Sequence, residues 1–280
     1  MSVITISHQL GSGGGAIAQT VAECLGYECV AGEVLAKAAH THGLTERRLI
    51  QLGEAKPRIL ERLDGEAQTY VAVMQNAILE AALGDHVVLV GRGGQWLLRG
   101  ISHVLRIRIV APFDERVRRL EDWLAARAGG EAHTRATREG VEKLLHRDDA
   151  GKLGRMRYLY DRELDDQLLY DVFINNAGRD GRAAVQTIVQ LAQRAELSPT
   201  AASVQTLVDR SVASRVRVAL LQDDRTRGFT HHDVTATSGV VRVTTNAPRS
   251  AVERIAGVID GVRSVQVAEV PTVPAITFEF

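Results

Sequence analysis

Five small residues in a row, Gly11-Ser12-Gly13-Gly14-Gly15, follow the apolar run Val3-Ile4-Thr5-Ile6 and precede a helix-like segment, residues 16–25. Residues with little or no side chain let successive backbone amides curl around an anion. The start of the next helix adds its own unpaired N–H groups and a positive dipole end. The chemistry on offer is phosphate binding; the bland alternative is a glycine turn that binds nothing. A loop of the G-x-x-x-x-G-K-[ST] type uses its lysine on the β- and γ-phosphates and its hydroxyl on Mg2+. With Gly13 as the last glycine of such a loop, Gly14 stands at the lysine position and Gly15 at the hydroxyl position, so both groups are missing. A second parse, G-x-G-x-x-A over Gly11, Gly13 and Ala16 with Glu33 as the ribose acid, gives the dinucleotide fingerprint of a nicotinamide-dependent oxidoreductase.

Further cations lie downstream. The run Val87-Val88-Leu89-Val90 ends in Gly91-Arg92-Gly93-Gly94, which puts Arg92 where a parallel strand empties into a ligand crevice. The stretch from His146 to Arg155 mixes both signs of charge near the end of a long helical pattern. It reads either as a solvated face or as a lid whose cations, with Arg147, Asp148, Lys152 and Arg155 as candidates, fold over a transferring phosphoryl group. Arg116, Arg118 and Arg119 open the preceding helix, where Arg116 or Arg119 could also face the cleft. Only four of the 34 basic residues are lysines (Lys37, Lys56, Lys143, Lys152), so phosphate recognition is expected to rely on forked guanidinium contacts.

The elements that must position these groups alternate in type. Short β-branched runs at 3–7, 86–90, 104–110 and 172–175 are interleaved with helical patterns at 57–83, 114–127, 138–160 and 181–194. That order predicts a parallel sheet with helical crossovers, its strands apolar on both faces and its ligands at their carboxyl ends. The pattern lapses at 196–203. A small α+β module is expected after it: a helix marked by Val204, Leu207, Val208, Val212, Val216 and Leu220, a hairpin around Ser238-Gly239, a second amphipathic helix through Val252 and Ile259, and a strand at 262–267. The expected organisation is therefore an α/β domain over 1–195, a linker over 196–203, an α+β domain over 204–270 and a tail over 271–280.

Composition closes some routes. The chain has 280 residues and equal numbers of acidic and basic groups, so its net charge is zero and no nucleic-acid partner is expected. No stretch of about 18 consecutive apolar residues is present, so no transmembrane segment is expected and a cytoplasmic location is. Cys24 and Cys29 read as buried or half-buried thiols, and His231-His232-Asp233 as exposed turn residues rather than metal ligands.

Residues 4–14, Val90-Gly91-Arg92-Gly93-Gly94, the Arg147-Asp148 pair and Leu168-Leu169-Tyr170-Asp171-Val172-Phe173-Ile174-Asn175 together resemble the cytidylate kinase-like family over about residues 1 to 195. The resemblance implies a P-loop kinase-like parallel sheet flanked by helices and transfer of the γ-phosphoryl group of ATP to CMP or a related nucleoside monophosphate, assisted by Mg2+. On that basis Gly11, Ser12, Gly13, Gly14 and Gly15 surround the donor phosphates, Arg92 grips the acceptor phosphate, and Arg147 and Asp148 match the Arg-Asp of the lid. Lys152 and Arg155 lie near its further arginines, in a pattern interrupted by Ala150, Gly151 and Gly154. The missing lysine keeps open a second class of function, a nucleotide sensor without catalysis, coupled to the C-terminal module. That module resembles a BON domain, a unit proposed to bind phospholipid or other ligands, and its expected partner is a small ligand, a lipid or a protein.

Overall fold

The computed structural model describes residues 2–32, 64–127, 137–178, 180–229 and 231–270. Its first part runs β1 (Val3–His8), α1 (Gly14–Leu25), β2 (Glu28–Val30), α2 (Asp64–Leu83), β3 (Val87–Val90), α3 (Gly94–Leu97), β4 (Val104–Val110), α4 (Phe113–Arg127), α5 (Arg138–Tyr160), β5 (Val172–Asn175) and α6 (Arg182–Ala192). The five strands pair in the order β2-β3-β1-β4-β5, all parallel. Residues 57–63, Glu33 and the tail over 271–280 lie outside the described residues.

Strand alternation divides the core into two layers. On one face Val3, Val87, Leu89 and Val104 pack with Val73, Ile78 and Leu79 of α2. On the other, Ile4, Ile6, Val88, Ile107 and Ile109 pack with Ile17, Ala18 and Val21 of α1 and Ile188 of α6. Ile4, Ile6, Ile107 and Ile109 are wholly buried; each such side chain contributes about 1.5–3 kcal/mol relative to exposure. The α1 stripe, i, i+1, i+4, i+5 from Ile17, turns Cys24 outward. That thiol is exposed, and only Cys29 is half-buried as expected. Gly26, at φ 68°, ends α1 and returns its N–H to Ala22 and Glu23.

Order matters for function because β1 lies between β3 and β4. The crossovers leaving this centre diverge to opposite sides, which opens a crevice at the carboxyl ends of β1, β3 and β4. The glycine loop (after β1), the Arg92 turn (after β3) and the start of α4 (after β4) all converge there.

The second part runs α7 (Ala201–Gln222), β6 (His232–Thr237), β7 (Val240–Thr245), α8 (Arg249–Ala256) and β8 (Ser264–Ala268). Its separate three-stranded sheet has β6 antiparallel and β8 parallel to β7. Ser238 and Gly239, at φ 48° and 79°, form the two-residue hairpin turn. Helix α7 serves two cores: Leu207, Val218 and Leu221 join the α2 layer, while Val212, Val216 and Leu220 join Val241, Val243, Val252 and Ile255 of the small sheet. Ser211 also hydrogen-bonds Glu80 of α2, and Arg210 donates to the Leu97 carbonyl at 2.7 Å. His232 is buried rather than exposed, because Thr226 and Thr245 supply partners for its two ring nitrogens.

Candidate functional site

The turn from His8 to Gly15 is shaped by its glycines. Gly11 and Gly13 lie at φ 78° and 83°, where a side chain is strained. A Cβ at Gly11 would also come within 2.7 Å of the Arg116 carbonyl, and one at Gly13 within 3.0 Å of Asn176 Nδ2. Ser12 is fully buried; its hydroxyl donates to the Gln9 carbonyl at 2.7 Å and accepts from the Gly14 amide at 3.3 Å. The loop is thus braced from within by the one side chain in the glycine run.

Its carbonyls are held from outside by cations and an amide. Arg116 donates to the Leu10 carbonyl at 3.3 Å and forks onto Asp149 at 3.0 and 2.7 Å. Arg119 donates to the Ser12 carbonyl at 3.0 Å and to that of Asn176 at 2.7 Å, while Asn176 Nδ2 donates to the same Ser12 carbonyl at 2.8 Å. Lys152, from α5, donates to the His8 carbonyl at 3.1 Å and pairs with Asp148 at 2.8 Å. With the carbonyls engaged on this outer side, the amides of Gly13, Gly15 and Ala16 close no backbone hydrogen bond among the described residues. That is the polarity an anion requires.

Helix α5 is the expected lid run. Thr137 caps it, accepting from the Gly140 amide, and Asp161 ends it at φ 49°. Asp148, Lys152 and Arg155 share one face by their spacing; Lys152 reaches the loop, and Asp148 pairs with it. Arg155 curls back over Gly151, where a Cβ would lie 3.5 Å from its guanidinium. Arg147 is exposed beside them.

Arg92 is exposed in the turn after β3, and Gly91, Arg92 and Gly93 all adopt positive φ, at 75°, 57° and 81°. A left-handed arginine between two left-handed glycines is strain held in place by its surroundings, a pattern that clusters at ligand-binding turns. The Gly91 amide donates to the Ile6 carbonyl at 2.9 Å, which ties this turn to the end of β1. A Cβ on Gly32 would lie 3.1 Å from the Arg92 guanidinium, so that glycine leaves room for it.

The floor of the crevice holds residues that the sequence reading missed. In β4, Leu105, Ile107 and Ile109 face the α1 layer, which turns Arg106 and Arg108 the other way. Arg108 is 2% exposed; it donates to Ser7 Oγ at 2.9 Å and to Asp165 at 2.8 Å, while its Nε has no partner. Thr5 Oγ1, two residues along β1, is also buried without a partner. Gln95 is buried alongside and donates to the Tyr170 hydroxyl at 3.4 Å. The signal was present as an arginine alternating with aliphatic residues inside a strand. Asn176, directly after β5, gave no such signal.

Electrostatics follow burial. The His8 pKa is lowered, first by burial and then by the Lys152 charge, so its ring is neutral near pH 7. Burial raises the Tyr170 hydroxyl, and that of Tyr160, packed near Gln75 and Arg217, is pushed up to about 12; both remain protonated donors. No group of three or more His, Cys, Asp or Glu is gathered as a metal cage among the described residues. The arrangement offers oriented amides, a lysine beside them, a displayed arginine across the crevice and a polar floor. Groups of this kind suit phosphorylated ligands.

A model of the cytidylate kinase-like family matches residues 3–177. A cytidylate kinase of Ignicoccus hospitalis is 28% identical over 192 residues, covering 68% of this chain and 99% of that protein. A cytidylate kinase of Natronomonas pharaonis is 31% identical over 191 residues, covering 67% of this chain and 88% of that protein. Among solved structures, an uncharacterized protein from Eubacterium ventriosum shares the fold with a TM-score of 0.52 at 17% identity, over 69% of this chain and 100% of that one. The family match stops at residue 177, before the small sheet begins.

Proposed function

This chain belongs to the cytidylate kinase-like family, and from that premise we propose that it transfers the γ-phosphoryl group of ATP to CMP or a related nucleoside monophosphate. The observation that carries the reading is the outward anchoring of the loop carbonyls at Leu10 and Ser12, which leaves the open amides of Gly13, Gly15 and Ala16 to the donor phosphates. Phosphoryl transfer asks little covalent chemistry of a protein; positioning and charge neutralisation supply the rate. Arg92 aligns the acceptor phosphate from its strained turn. Arg147, Lys152 and Arg155 offset charge on the moving group, and Asp148 orients Lys152. Mg2+ enters with ATP as part of the substrate. Gly15 brings no hydroxyl to it, so phosphate oxygens and water supply most of its ligands.

The division of the chain into a kinase-like body over 1–195 and a BON-like unit over 204–270 is part of this proposal, as is a cytoplasmic location. No helix of the described residues is long and apolar enough to cross a membrane. Steady-state assays with CMP, UMP, dCMP and AMP, each with ATP and Mg2+, test the activity. Turnover of at least one is expected, with a pyrimidine monophosphate preferred. Failure of all four returns the chain to the sensor reading, in which nucleotide occupancy is passed to the C-terminal unit and its ligand, lipid or protein partner. One observation favours that second reading: α7 belongs to both cores, so a shift of the α2 layer is felt in the small sheet.

A further inference from the structure

The missing loop lysine has a steric explanation. In the G-x-x-x-x-G-K-[ST] pattern, the first glycine is six positions before the lysine. Here those positions are His8 and Gly14, so the two residue types are exchanged: the side chain is at the first position and the glycine at the seventh. A Cβ built on Gly14 would overlap the Cβ of His8 and lie 2.6 Å from its Cγ. The overlap involves atoms fixed by the backbone, so no rotamer of either residue relieves it. The two positions have room for one Cβ between them. By contrast, a Cβ on Gly15 would meet nothing within 4 Å. Crowding therefore excludes the lysine at position 14 but does not exclude a hydroxyl at position 15.

The ammonium has another source. Of the lysines among the described residues, Lys143 is 75% exposed and pairs with Glu139 along its own helix. Lys152 is the one that meets the loop, and its Nζ lies 3.1 Å from the carbonyl of His8. His8 is half-buried, and burial and the Lys152 charge both lower its pKa, so its ring occupies the space without supplying the charge.

We propose that the phosphate-binding loop of this chain has exchanged its own lysine for a pairing in which His8 fills the vacated space and Lys152, carried by the lid helix, supplies the cation to the β- and γ-phosphates of the donor. This deepens the kinase reading and rests on it. Lys152 must leave Asp148 or share itself with the phosphates, so donor binding and the placement of α5 become one event. A loop lysine would bind phosphate independently of any lid.

Calorimetric titration of the full chain with ATP, ADP and AMP tests the assignment. In Lys152→Gln, affinity for ATP and ADP is expected to fall at least tenfold while that for AMP changes less than twofold; Lys152→Arg keeps most of the affinity. The triple variant H8G/G14K/K152Q should recover ATP binding, because removing the Cβ at position 8 makes room for one at 14. A folded triple variant that binds ATP no better than K152Q overturns the spatial exchange. The unmutated protein gives a readout free of folding effects. With four lysines in the sequence, selective 15N-lysine labelling should show the Lys152 side-chain signal moving at saturating ATP and not with AMP. A signal unmoved by bound ATP, or ATP affinity in K152Q equal to that of the unmutated chain, overturns the role of Lys152 and leaves the kinase reading standing. Failure of the unmutated chain to bind ATP or ADP at all overturns the kinase reading itself.

Discussion

The two sheets treat their buried polar groups in opposite ways. At the carboxyl ends of the parallel sheet, Thr5 Oγ1 and Arg108 Nε are buried without partners, and Arg92 is held at φ 57°. In the small sheet the corresponding groups are closed: His232 bonds the Thr226 carbonyl at 3.3 Å and Thr245 Oγ1 at 3.0 Å, and Thr245 in turn accepts from the Ala247 amide at 3.1 Å. No buried side-chain nitrogen or oxygen of β6, β7 or β8 is left unpartnered among the described residues. An unmet buried polar group costs about 1–3 kcal/mol. The parallel sheet tolerates that cost where a ligand would remove it, whereas the small sheet spends its polar residues on its own fold.

The comparison breaks most sharply at the loop. Gly11→Val forces a side chain against the Arg116 carbonyl at φ 78° and should reduce kcat/KM by roughly a hundredfold or more; circular dichroism should show the fold retained. If activity survives, the open amides are not the donor site. Arg92→Ala should raise KM for the monophosphate about tenfold or more without changing the melting temperature, since the residue is exposed. In the other sheet the signs reverse. His232→Ala leaves the hydroxyl of Thr245 and the carbonyl of Thr226 short of a partner and should cost about 1–3 kcal/mol in denaturant unfolding, with kcat per folded molecule unchanged.

Acid sharpens the contrast further. Burial lowers the pKa of His8, His103 and His232 from 6.5. Each is protonated more readily in the unfolded chain, so the stability it contributes is fully present above pH 6.5 and is lost as pH falls toward the lowered folded values. Thermal melts between pH 7.5 and 5.5 should show that decline, and His232→Gln should flatten it. The smallest effect belongs to Arg242→Ala on the exposed face of β7, beside Gln266, where a change within about 0.5 kcal/mol is expected.

Much of this architecture was legible in the residues. The strands at 104–110 and 172–175 and the helix at 138–160 match the observed elements, because β-branched runs and a long helical period are local signals. The elements β2 and α3, three and four residues long, carry no run of β-branched residues and were not anticipated. The glycine loop and the Arg92 turn were visible because glycine marks unusual backbone locally. The anchoring of the loop was only partly so: Arg116 and Arg119 were candidates for the cleft, but their bonds to Leu10 and Ser12 span 106 and 107 positions. His232 was misjudged for the same reason, since its closure depends on Thr245 across the hairpin. Nothing within a few residues of any of these sites encodes its distant partner.

Because α7 lends one flank to each core, the molecule cannot be cut in two without leaving a wound. A chain ending near residue 195 would lose Leu207, Val218 and Leu221 and bare the apolar surface of α2, including Val73 and Leu79. Such a fragment should be sticky and poorly soluble, and the intact protein should melt in one calorimetric transition rather than two. Inheritance follows the same seam: a recombination event that swapped the small sheet for another module would have to bring a helix able to seal that bared surface.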